Sequence, residues 1–136
     1  MICVTSLISL AYRLQSKEIH LRMKYSVYVV ELSKRVFTEN AKFRAANPQF
    51  NGVIECLYVG MTSKEPAERY KQHKTGYKTK KGHNISSWLV WKYGRYLRPS
   101  LFAHLNAKPM TRQEALAMEE NLALELRRKG YAVWFN

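Results

Sequence analysis

No stretch of this sequence approaches the ~18 consecutive apolar residues that a membrane-spanning helix requires, so an integral membrane helix is not expected. Cysteine is nearly absent: Cys3 and Cys56 stand far apart, with no CxxC spacing. That excludes a disulfide framework and a zinc knuckle, and leaves each thiol as a small buried hydrophobe. Residues 1–15 are mildly apolar, yet no basic residue precedes the apolar part and no small-residue cleavage site follows it. A secretory signal is therefore not expected, and the expectation is a cytoplasmic protein.

Acidic residues are also scarce. Ten Asp and Glu stand against 23 Lys and Arg, a formal net charge of +13. Such an excess points to a polyanionic partner, nucleic acid first and an acidic membrane surface second. Low-complexity tracts and internal repeats are missing too. What is present is apolar content of 46% and aromatic content of 12% in 136 residues, enough for one modest core without staples.

Residues 1–22 read as an N-terminal extension, either helical or mobile, and 23–136 as a single domain. Tyr25–Leu32 (YSVYVVEL) is rich in β-branched and aromatic residues and reads as a strand. Residues 33–56 form a polar, insertion-like excursion with turn formers at Asn47-Pro48 and Asn51-Gly52 and room for a short helix. Ile54–Val59 resumes as a second strand, antiparallel to the first. Thr62, Glu65 and Pro66 then signal a helix start, and Gly76 a stop. A basic loop follows, then a helix over Ser86–Tyr93 and a third strand over Arg98–Leu105. Thr111 and Glu114 open a last helix that Gly130 ends, and YAVWFN closes the chain in extended form. The fold class is α/β (α+β): a small antiparallel or mixed three-stranded sheet flanked by helices.

The last helix holds an anomaly. At ~100° per residue, Ala115, Met118, Leu122, Ala123 and Leu126 share one arc, and Glu119 falls inside it. A carboxylate on a core-facing stripe is expensive unless it is paired or holds a metal; the plain alternative is a glutamate at the stripe's edge reaching water or an arginine. Arg69 and His73 share a helical face four residues apart, either as a site or as a solvated basic face with Lys71 and Lys74. Tyr28 and Tyr58 lie in apolar strands, where tyrosine is ordinarily a packing residue. Lys78, Lys80 and Lys81 suit a phosphate backbone. Trp88, Trp91, Tyr93 and Tyr96 either stack unpaired bases or, in part, form a core face.

Taken in order, these pieces resemble the GIY-YIG nuclease family. Its first signature stands here as Ser26-Val27-Tyr28 and its second as Tyr58-Val59-Gly60. Arg69-x-x-x-His73 follows, then His83, then Glu119 within ALAMEENLALEL, and Asn136 after the extended stretch. The resemblance runs from about residue 25 to the end. Serine replaces the first glycine, valine replaces isoleucine in both signatures, and the segment between the tyrosines exceeds the short turn of many relatives.

The resemblance implies a divalent-metal-dependent endonuclease acting on DNA, with single-stranded DNA a serious candidate substrate. Glu119 would hold magnesium, or manganese in its place, and Arg69 would bind the non-bridging phosphate oxygens. Tyr28 would deprotonate the attacking water, its own proton loss eased by the metal and Arg69. Tyr58 and His73 would orient that water or relay its proton. His83, Asn136 and Lys64, the nearest match to a lysine some relatives carry after the second signature, would position substrate. Lys71, Lys74, Lys78, Lys80 and Lys81 would contact the nucleic acid. The alternative from another class is a basic nucleic-acid-binding module on the same fold without activity; a membrane-surface protein has only charge and residues 1–15 in support.

Overall fold

A computed structural model describes residues 8–15, 23–76 and 85–136. Residues 8–15 form a helix, α1, exposed along its whole length. The domain proper is β1 (Ser26–Leu32), α2 (Arg35–Glu39), α3 (Ala41–Ala46), β2 (Cys56–Thr62), α4 (Pro66–Lys74), α5 (Ile85–Tyr93), β3 (Gly94–Leu97), α6 (Arg112–Arg128) and β4 (Ala132–Trp134). Two short 3-10 turns, Pro99–Leu101 and Ala103–Asn106, precede α6.

The sheet has four strands in the order β3-β1-β2-β4 rather than three. β1 pairs antiparallel with β2 and β3, and β4 adds parallel to β2. The sheet is therefore mixed, with helices flanking it, and its two central strands are apolar nearly throughout, as strands covered on both faces are. Among the described residues no helix is long and apolar enough to cross a membrane.

Two local expectations are corrected. The third strand is Gly94–Leu97, and Arg98–Leu105 turns in 3-10 conformation instead. Pro99 has no N–H to give a ladder, and the β1 edge beyond β3 is taken by a side chain. Asn106 accepts from the Val27 N–H through Oδ1 at 2.9 Å and donates Nδ2 to the Val27 carbonyl at 2.8 Å, so one amide stands in for a paired strand. Thr62, expected as a helix cap, is instead the last residue of β2, where its Oγ1 accepts from the Lys64 N–H. α4 starts later, behind Glu65, with Pro66 in its first turn.

The 33–56 excursion is folded into the core. Val36 of α2 and Phe43 of α3 are fully buried, as is Asn47 behind them. Asn47 donates Nδ2 to the Phe43 carbonyl, and its Oδ1 accepts from the Val133 N–H at 2.7 Å and from Arg127 Nε at 3.1 Å. Arg127 Nη2 in turn donates to the Val133 carbonyl at 2.8 Å. The outer edge of β4 is thus satisfied by side chains.

α6 opens with a complete capping box between Thr111 and Glu114. It packs across β1, β2 and β4, burying Ala115, Glu119, Leu122, Ala123 and Leu126.

Candidate active site

Side chains alternate across a strand, and directly opposed residues of an antiparallel pair share a face. Tyr28 stands opposite Gly60, and Val30 opposite Tyr58, so both tyrosines project from one face of the β1–β2 pair. Their rings lie 5.9 Å apart, tilted by 52°. Gly60 makes this possible. A Cβ there would sit 2.8 Å from both Cζ and the hydroxyl of Tyr28 and 2.9 Å from Cε1 of Tyr58.

α4 covers that face. Arg69 and His73, one turn apart, both turn toward the tyrosines; His73 is 4% exposed and Arg69 half-buried. The Tyr28 hydroxyl lies 2.9 Å from His73 Nε2, and the Tyr58 and His73 rings meet edge-on at 5.9 Å. Arg69 Nη1 donates to Gln72 Oε1 at 3.3 Å, which restrains the guanidinium. Gln72 was invisible in the motif reading, although an i, i+3 spacing to Arg69 is the signal that finds it.

Burial dominates the electrostatics. It pushes the His73 pKa down to about 4, with the Arg69 charge adding to the same effect, so the imidazole is neutral at physiological pH. Burial also raises the Tyr28 hydroxyl well above the usual phenol range, and the neighbouring Tyr58 raises it further. Arg69 pulls Tyr28 the other way but is outweighed. The sequence expectation that Arg69 eases proton loss from Tyr28 therefore holds in sign only. What the cluster offers is a protonated tyrosine against a neutral histidine, and His73 Nδ1 is buried with no hydrogen-bond partner among the described residues.

Glu119 stands out by elimination. The sequence contains no aspartate, so every side-chain carboxylate is a glutamate. Among the described glutamates only Glu31 and Glu119 are buried. Glu31 sits at an alternate position of β1, on the face opposite Tyr28, and is paired with Arg98 Nη1 at 2.8 Å. Glu119, 1% exposed, has no such cation among the described residues. Its carboxylate accepts from the backbone N–H of Asn136, and Oε2 has no partner among the described residues. Burial lifts its pKa to about 7 against the opposing pull of that hydrogen bond.

The β2–β4 ladder relates the two groups. Trp134 lies beside Tyr58, and Asn136, which holds the Glu119 carboxylate, follows two residues later. The structure thus gathers Tyr28, Tyr58, Arg69 and His73 into one cluster, and ties Glu119 and Asn136 to the end of β4 next to it. Among the described residues no group of three or more His, Cys, Asp or Glu could chelate a metal through protein ligands.

The remaining predicted residues are less central. Lys64 is exposed in the turn between β2 and α4, and Lys71 is exposed on α4. Lys74 is exposed too, but its ammonium donates to the carbonyls of Trp91 at 3.0 Å and Gly94 at 2.8 Å, tying α4 to the end of α5. Tyr93 is 3% exposed and packs edge-on against Trp88, so it offers no stacking surface. Lys78, Lys80, Lys81 and His83 lie outside the described residues.

No family model, curated protein or solved structure matches the chain. The functional reading therefore rests on the residues themselves.

Proposed function

We propose that this protein is a divalent-metal-dependent endonuclease that hydrolyses phosphodiester bonds in DNA, on a domain of GIY-YIG type. The observation that carries the reading is the buried contact between the Tyr28 hydroxyl and the neutral His73 imidazole, 2.9 Å apart and beside Arg69. A core built only for packing has no use for a titratable pair in the field of a half-buried cation, and perturbed groups of this kind gather at catalytic sites.

Each side chain has a role that follows from its surroundings. Arg69 is always charged and presents a fork of donors, which suits the non-bridging oxygens of a phosphodiester. Tyr28 is too basic to exist as a phenolate by itself. It acts by accepting the proton of the attacking water as its own proton passes to His73 Nε2, so no free phenolate forms. Arg69 disfavours the resulting imidazolium, but a phosphate bound to Arg69 offsets that field, so the base is strongest when substrate is present. Tyr58 holds the water and the imidazole in register, and Gly60 leaves room for both rings.

Glu119 fits a divalent cation. A buried carboxylate with an unpartnered oxygen suits magnesium or manganese, which accept one or two carboxylates and complete their shell with water and substrate oxygens. Bound there, the cation would supply charge stabilisation to the scissile phosphate and to the leaving oxygen. Asn136 positions Glu119 through its backbone N–H. A net charge of +13 attracts the polyanion.

The test is cleavage of end-labelled single-stranded, duplex and branched DNA, with and without magnesium, by the native chain and by Glu119→Gln. Magnesium-dependent cuts that disappear in the variant, with binding retained, support the proposal. Binding without cleavage in any metal would leave a nucleic-acid-binding module instead.

A further inference from the structure

We infer that an unpaired base of the nucleic acid stacks on Trp91, making single-stranded DNA the substrate class; this rests on the nuclease reading above. α5 divides into two sides. Leu89, Val90 and Tyr93 are buried, while Trp88 and Trp91 are 37% and 49% exposed. Trp88 is already faced by the Lys92 ammonium, 5.1 Å from its ring centre. Tyr96, although exposed, hydrogen-bonds to the Glu31 carboxylate. Trp91 is left as the large open ring of this surface, and a half-open indole is a strong hydrophobic anchor with no internal reason to face water.

Two observations tie Trp91 to the candidate site. Its carbonyl is held by Lys74 of α4. Its indole lies against Gly76, where an added Cβ would be 3.5 Å from Nε1. Gly76, with φ of +71°, closes the same helix that carries Arg69 and His73. Ring and phosphate-binding arginine are thus mounted on one clamped pair of helices.

Charge selects the occupant. No carboxylate occurs between Glu68 and Glu114, and Lys71, Lys92 and Arg95 are exposed beside these elements. An apolar ring with Lys71, Lys92 and Arg95 about it, and the carboxylates of Glu31 and Glu39 already engaged with Arg98 and Arg35, matches a chain of phosphates with accessible bases. Duplex DNA covers its base faces and leaves an indole nothing to stack on, whereas single strands expose them.

The experiment measures binding in chelator, where no cleavage occurs, to a single-stranded DNA oligonucleotide, a hairpin duplex of the same sequence and the corresponding single-stranded RNA. Trp91→Ala should weaken single-strand binding about five- to hundredfold and leave duplex binding unchanged, while Trp91→Phe keeps most of the affinity. The native chain should prefer the DNA strand over the duplex and should cut it in magnesium. Equal loss on strand and duplex, or no loss on either, overturns the inference, as does selective capture of an acidic peptide by the native ring. Preference for RNA would move the substrate class and overturn the DNA assignment. If the single-strand effect appears but magnesium yields no cleavage, the stacking stands and the nuclease reading falls. Normal melting of Trp91→Phe guards against a folding defect.

Discussion

The Tyr28 hydroxyl and His73 Nε2 stand 2.9 Å apart although forty-five residues separate them in the chain. Both groups are buried; the Tyr28 hydroxyl also reaches Tyr58 and Arg69, while the far nitrogen of the imidazole has no partner among the described residues. Tyr28→Phe keeps the ring that fills the core and removes only the oxygen. DNA cleavage should fall by roughly 10²–10⁴-fold, the range for losing a proton-transfer group, with the melting temperature close to native. Single-turnover cleavage and thermal melting on the same preparation check both halves; a full cleavage rate would remove Tyr28 from the chemistry.

Gly60→Ala should damage fold and activity together. The added methyl would press on the end of Tyr28 and on the Tyr58 ring at 2.8–2.9 Å, and one side of that contact is buried strand with nowhere to move. Overpacking of this kind costs about 1–3 kcal/mol. Urea unfolding should show the loss, and cleavage should fall further than stability alone explains, since the Tyr28 hydroxyl must leave His73.

The pH dependence of stability separates Glu119 from His73. The fold raises Glu119 to about 7, so its favourable, protonated contribution is full below the ordinary carboxylate range and is lost as pH rises through 7. It holds His73 down at about 4, so the unfolded chain takes up a proton first on acidification and stability falls from about pH 6.5 toward 4. In chelator, the native chain should therefore lose on the order of 2–3 kcal/mol between pH 5 and 8 relative to Glu119→Gln, which keeps only the histidine slope. Urea melts of both chains at a series of pH values measure this. Parallel curves would mean that Glu119 is not held in the protonated form.

Asn47→Ala should destabilise the domain by about 2–4 kcal/mol, because it removes the acceptor of the buried Val133 N–H and of Arg127 Nε together with the donor to the Phe43 carbonyl. The excursion between the first two strands would then be seen as part of the cooperative unit. A native-like melting temperature would show instead that residues 33–56 unfold independently.

Local chemistry was legible in the sequence and distant pairing was not. The Thr111–Glu114 box and the stop at Gly130 depend on residues within a turn of each other, and both read directly. Glu119 was visible as an anomaly because 3.6-residue periodicity predicts a face without any knowledge of the partner. Its burial to 1% exposure follows that face. Arg98–Leu105 misled because its apolar spacing suits a strand or a 3-10 turn equally, and the choice was made by Asn106, which already occupied the β1 edge. Thr62 misled because a hydroxyl followed by glutamate looks the same at a strand end as at a helix start. The parallel addition of β4 depends on β2, far earlier in the chain, and no local pattern announces it.

The side-chain cover on β4 also bears on how the molecule behaves in company. A terminal strand of three residues at the margin of a sheet ordinarily invites another chain to extend the ladder, the first step of aggregation and domain swapping. Here Asn47 occupies the N–H of Val133 and Arg127 its carbonyl, so an incoming strand finds neither donor nor acceptor at that residue. Copies of this strongly basic chain crowded together, as they would be along the polyanion proposed as its partner, are thereby kept from zipping onto one another through that edge.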